Sequence, residues 1–222
     1  LKSIQDVPAG VNPDALLYDR FSGRVFIFNN DSKDITVIEA ASGKIIATFS
    51  VGGNPEAGVS DDEGIIFVNV EDTNEVVSFD AKTLAIKNRW KLAPGEEPNG
   101  LVLDKKSHRI FSACRKSQTM IMLDSHNGNI IAQVPIGKGV DGVIFDPQEK
   151  LIITSNGEGT LTVIHEDSPS QISVVETITT EPGARTMSFD SKTHHVFLSA
   201  GQYGESPPAT PENPRPWRSI VP

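Results

Sequence analysis

One seven-residue pattern recurs along the chain and limits what it can fold into more than any other feature. Pro13-Asp14-Ala15-Leu16-Leu17-Tyr18-Asp19, Pro55-Glu56-Ala57-Gly58-Val59-Ser60-Asp61 and Pro98-Asn99-Gly100-Leu101-Val102-Leu103-Asp104 superimpose, and the segments closing at Asp146 and Asp190 continue the series. The closing aspartates stand 42, 43, 42 and 44 residues apart. That spacing suits a unit of four short strands and is too long for helical repeats of ankyrin or tetratricopeptide type. In the first complete unit the strands read as Ala15–Tyr18, Arg24–Phe28, Ile35–Ile38 and Lys44–Phe49, separated by turns rich in Gly, Asn, Asp and Ser. Those types accept positive φ or close Asx turns. The second strands (Val25-Phe26-Ile27-Phe28, Ile65-Ile66-Phe67-Val68) are apolar on both faces, as in a sheet packed between two others. Helical periodicity is absent. The expectation is all-β: a β-propeller of four-stranded blades, with four complete units and partial first and last ones.

The units fall near 13–54, 55–97, 98–139, 140–183 and 184–204. Residues 1–12 read as the last strand and crossing of a preceding unit, and the Pro-rich segment 205–222 as an extended strap or linker. Two readings stay open: the partial units combine into a composite blade that closes a five-bladed ring, or the chain is a segment of a larger propeller. In the second case open blade edges favour self-association.

The recurring Asp19, Asp61, Asp104, Asp146 and Asp190 are read as formers of the turn that follows each first strand, because every blade needs that turn. The Gly-rich links at 51–55, 136–139 and 181–184 join strand to strand. They are inter-blade crossings, not phosphate loops, which lead from strand to helix. Cys114 is the only cysteine and lies in an apolar run, so a buried, inert thiol is expected. A formal net charge of −9 and the lack of any Lys/Arg cluster argue against a nucleic-acid partner. No apolar run is long enough for a membrane-spanning helix, and Leu1-Lys2-Ser3-Ile4 lacks the features of a signal peptide.

Several segments resemble the bacterial YncE-type propellers, the family of the YVTN repeat: Gly53-Asn54-Pro55-Glu56, Ala93-Pro94-Gly95-Glu96-Glu97-Pro98, the run 155–163, Gly183-Ala184-Arg185-Thr186-Met187 and the run 210–216. The resemblance implies a seven-bladed ring, export to the periplasm or cell surface, and no enzymatic activity for most members. It also implies that this chain carries fewer blades than its relatives.

A propeller arranges the first strands around a central channel, so residues near their starts converge at one mouth. The aligned residues there are Asp14, Glu56, Asn99, Asp141 and Arg185, polar in every unit. They are either the lining of a wet channel or a site for a small polar ligand or a protein partner. A second polar set, Asn30, Glu71, Arg115 and Glu158, is placed in the turn after the second strand. No cofactor is expected, with one exception: both sets together offer enough oxygens for a hard cation such as Ca²⁺. Catalytic patterns are poor, since the five histidines fall in turns or near outer strands and neither zinc spacing nor a nucleophile elbow occurs. The leading expectation is a non-enzymatic, exported binding propeller. The alternatives are a metal-assisted lactonase or hydrolase using Asp14, Glu56, Asp141 and Arg185, and a structural module of a surface assembly.

Overall fold

Apolar segments of about six residues, joined by turns too short for a crossover, can pair only with their sequence neighbours, and antiparallel meanders result. The computed structural model describes residues 5–201 and 208–210. Four sheets follow one another in chain order. The first contains β1 (Pro13–Asp19), β2 (Arg24–Asn29), β3 (Asp34–Glu39) and β4 (Lys44–Phe49). The second holds β5 (Pro55–Ser60), β6 (Ile65–Val70), β7 (Glu75–Asp80) and β8 (Ile86–Lys91), and the third β9 (Pro98–Asp104), β10 (Arg109–Cys114), β11 (Thr119–Asp124) and β12 (Ile130–Pro135). The fourth comprises β13 (Val140–Asp146), β14 (Leu151–Asn156), β15 (Thr160–Ser168) and β16 (Gln171–Thr179), and a fifth unit begins with the hairpin β17 (Thr186–Asp190) and β18 (His195–Ser199). No helix occurs among the described residues.

The core is divided among the seams between blades. Phe26, Phe28 and Ile35 of the first blade meet Ile66, Val68 and Phe79 of the second. Phe67 and Val76 meet Leu101, Ile110 and Ile121 at the next seam, and Phe111, Met120 and Met122 meet Val140, Ile152 and Ile164 at the third. Alternate residues of a second strand therefore serve opposite seams: Ile66 and Val68 face one way, Phe67 the other. This is why those strands are apolar throughout. Each fully buried side chain of this size contributes about 1.5–3 kcal/mol.

Residues 5–12, the described part of the segment read as a preceding last strand, form no strand. Val11 and Asn12 instead act as a crossing, with the Asn30 amide donating to the Asn12 carbonyl at 2.9 Å. Of the strap, only residues 208–210 are described, exposed and outside any strand; its remaining residues lie outside the described set.

The turn aspartates do what the repeat demands. Oδ1 of Asp61 accepts from the amides of Glu63, Gly64 and Ile65 (2.7–2.9 Å). Asp19, Asp104, Asp146 and Asp190 likewise accept from amides two or three residues ahead. Just before the second strand the backbone enters the left-handed region, at Gly23 (φ 68) but also at His108 (57), Lys150 (54) and His194 (57). Two of the histidines thus mark a turn position. Cys114 is fully buried, and desolvation pushes its thiol up to about 12.

Candidate functional site

The inner strands of the four complete blades each carry an irregularity close to their start. In β1 the pairing steps from Pro13 opposite Asn29 to Ala15 opposite Phe28, leaving Asp14 as an extra residue. In β13 it steps from Val140 opposite Asn156 to Gly142 opposite Ser155, leaving Asp141 extra. β5 and β9 slip by one residue over the stretch that contains Glu56 and Asn99. A bulge re-aims the side chain it contains, and the same bulge in four successive blades turns this position toward one mouth. Arg185 stands immediately before β17.

Close approach of the inner strands is part of the design. A Cβ on Gly100 would run into Cγ2 of Val143 on the next inner strand, and one on Gly142 would lie 3.0 Å from the carbonyl of Arg185, just before the inner strand that follows. The small residue following the mouth position lets neighbouring blades touch there.

Two hydrogen-bonded groups make up the mouth. In the first, buried Glu56 receives the Asn30 Nδ2 amide on Oε1 and the Asn99 Nδ2 amide on Oε2, each at 2.6 Å, so three blades share one carboxyl. Asn54 Nδ2 donates in turn to Asn30 Oδ1 at 3.2 Å. Exposed Asp14 also hydrogen bonds to Glu56. Burial, then the hydrogen bond and charge of Asp14, then Glu71 push the Glu56 carboxyl up to about 9, with Arg115 opposing. Near neutral pH Glu56 is therefore held in its acid form beside Asp14.

In the second group Arg115 Nη2 donates to Asp141 Oδ1 at 2.9 Å, and its Nε donates to the Val140 carbonyl at 3.0 Å. Its Nη1 lies 3.8 Å from Glu71 Oε1. Arg185 Nε is 3.8 Å from the other oxygen of Asp141, and the Arg185 side chain stays 55% exposed. Of the two guanidiniums, that of Arg185 is thus the less covered.

The structure gathers Asp14, Glu56, Asn99, Asp141, Arg185, Asn30, Glu71 and Arg115 into this network. It leaves Glu158 out. The amides of Asn30, Glu71, Arg115 and Gly157 make the same bond, each to the carbonyl of a crossing residue. Gly157 thus occupies the place assigned to Glu158, which sits one residue further on, exposed, accepting from Thr160 Oγ1 at 3.1 Å. As for a cation, no three His, Cys, Asp or Glu side chains among the described residues gather around one point. The mouth's carboxylates are spread around a ring and do not form a cage.

Some residues of the site's frame escape the sequence reading. Asn69 Nδ2 donates to the carbonyls of Asn99 and Gly100 (3.0 Å each), and its Oδ1 accepts from Ser112 at 2.9 Å. Ser155 similarly bonds the Arg185 carbonyl. These buried polar groups fasten the second strand of one blade to the start of the next inner strand. For Asn69 and Ser112 the signal is a lone polar residue in an otherwise apolar strand, whereas Ser155 sits between Thr154 and Asn156 and does not stand out. His194, in the turn before β18, bridges to buried Asp146 of the preceding blade; this hydrogen bond raises the imidazole's pKa and lowers that of the carboxyl.

No family model matches the chain. It is 22% identical over 209 residues, 91% of its length, to a Salmonella typhimurium protein described as "Uncharacterized protein YncE", and spans 59% of that relative's length. Among solved structures, Kuenenia stuttgartiensis hydrazine synthase superimposes with a TM-score of 0.71 at 17% identity, over 85% of this chain and 56% of that one. A Bacteroides uniformis protein provisionally described as a 6-phosphogluconolactonase gives 0.73 at 11% identity, over 95% and 70%. Such identities speak for the fold alone. The relatives agree with the resemblance carried by the crossings and inner strands, and chain and architecture together are those of a YncE-like β-propeller.

Proposed function

We propose that the chain is a non-catalytic binding module of an exported propeller, receiving a small polar ligand or the polar tip of a protein partner at the channel mouth. One observation carries the reading: a bulge in four successive blades turns a polar residue toward the same mouth, where the fifth contributes Arg185. A wet channel needs polar lining but has no need of a repeated bulge to aim it. The mouth offers an exposed carboxylate (Asp14), a protonated acid (Glu56), and a guanidinium (Arg185) still open to a partner. This set suits ligands with both donors and acceptors, such as zwitterions and polyols. Export rests on the resemblance to YncE proteins.

The test is a ¹H–¹⁵N NMR titration with arginine, lysine and glucose as probes. At least one probe should give saturable shifts centred on residues 14, 56, 99, 141 and 185, and Asp141→Asn should weaken it about tenfold, as expected for loss of a charged partner. Shifts elsewhere, or none with any probe, contradict the reading.

A hydrolase is the second reading, favoured by the acid and carboxylate paired at Glu56 and Asp14. A lactone and ester screen decides it: turnover that disappears in Asp141→Ala replaces the binding module with an enzyme. A purely structural role predicts tight binding of a protein partner along a blade edge, indifferent to mouth substitutions.

A further inference from the structure

The other end of the channel has the opposite character. A cavity of about 650 Å³ opens there, within the range of small-molecule sites. Its walls come from four successive inner strands, with Leu17 of β1, Val59 of β5, Val102 of β9 and Phe145 of β13 all partly exposed to it. Such a set of apolar side chains at one point is costly to leave in water.

The rim is cationic, which is unexpected at the end where the repeat places an aspartate in every blade. The reason is geometric. Asp19, Asp104 and Asp146 are buried at 0%, 7% and 3% exposure, their oxygens taken up by turn amides and neighbouring side chains. Exposed Arg20, Lys105 and Lys106 follow two of those aspartates and line the cavity. Lys105 is paired with Asp62 at 2.5 Å, whereas Arg20 and Lys106 make no ion pair among the described residues. Two cations without an ion pair among the described residues thus border an apolar cavity in a chain of formal net charge −9.

We infer that this end of the channel binds an amphipathic anion, an aliphatic or aromatic carboxylate whose apolar body lies against Leu17, Val59, Val102 and Phe145 and whose head group meets Arg20 and Lys106. The carboxylate exchanges water for charge-assisted hydrogen bonds while the body covers apolar wall, so neither half of the molecule suffices alone. This site is separate from the mouth and does not depend on the mouth's ligand.

The experiment uses decanoate as the probe, acetate as the head group alone and decyltrimethylammonium as the tail with inverted charge, each followed by calorimetry and by methyl NMR shifts. Decanoate should bind saturably, with shifts at Leu17, Val59 and Val102, and more tightly than either control. The double variant Arg20→Glu/Lys106→Glu should weaken it about tenfold or more, in keeping with the loss of two charged contacts. Lys44→Glu/Lys138→Glu, an equal change of net charge at positions that do not line the cavity, should leave it unchanged. All four positions are exposed, and circular dichroism checks that each variant is folded. No saturation with decanoate, equal binding of decyltrimethylammonium, or equal weakening by both double variants overturns the inference.

Discussion

The two ends of the channel are built from the same inner strands yet organised on opposite lines. At the end marked by the closing aspartates, the recurring side chain is always Asp and always serves the turn of its own blade, as Asp61 shows by accepting three amides, while the second oxygens of Asp19 and Asp146 reach Ser60 and His194 of the next blade. At the mouth, the recurring position changes from Asp to Glu, Asn, Asp and Arg, and its side chains bond across blades: Glu56 to Asn30 and Asn99, Asp141 to Arg115. A repeat position that keeps its residue meets a need every blade has. One that varies while staying polar meets a need of the whole ring.

The contrast can be broken at either end, and the mouth should give the larger effect. Glu56→Ala strands the buried amides of Asn30 and Asn99 and should cost about 2–4 kcal/mol in denaturant unfolding, with amide exchange rising in the first three blades together. A loss confined to the second blade would show that the carboxyl does not join blades.

Glu56→Gln sharpens the same point through pH. The folded-state pKa of Glu56 lies above its ordinary 4.5, so its contribution to stability is fully present below that value. It is lost as pH rises toward about 9. Thermal melts of the wild type should fall over that window, and the glutamine variant, which cannot ionise, should lose this part of the slope. Parallel curves would contradict a Glu56 carboxyl that keeps its proton in the folded state.

At the other end Asp61→Ala should cost about 1–2 kcal/mol, the usual worth of side-chain acceptors for free turn amides. Its effect should stay within the β5–β6 turn. Least of all, Lys105→Ala removes an exposed pair with Asp62 and should change stability by less than about 0.5 kcal/mol.

Much of this was legible in the sequence because it is local. The spacing of Asp19, Asp61, Asp104 and Asp146, the turns that follow them, and the doubly apolar second strands are all properties of a few consecutive residues. That Asp14, Glu56, Asn99, Asp141 and Arg185 lie together, with Asn30, Glu71 and Arg115 beside them, followed from the phase of the repeat. Glu158 failed because β14 ends at Asn156, which puts Gly157 in the corner, a one-residue difference that an alignment of polar residues overlooks. The bulges were invisible because an extra residue shows only against its partner strand. The cationic rim was hidden for a similar reason: Asp104, Lys105 and Lys106 are neighbours in sequence, and only the fold buries the first and exposes the others.

The central claim is that a buried, protonated Glu56 joins the blades at the mouth. Side-chain ¹³C carboxyl NMR, with Glu56 assigned by comparison with Glu56→Gln, tests it most directly. A midpoint near 9 is expected, with Asp14→Asn moving it downward as the neighbouring charge and hydrogen bond are lost. A midpoint near the ordinary 4.5, unmoved by Asp14→Asn, would contradict the account.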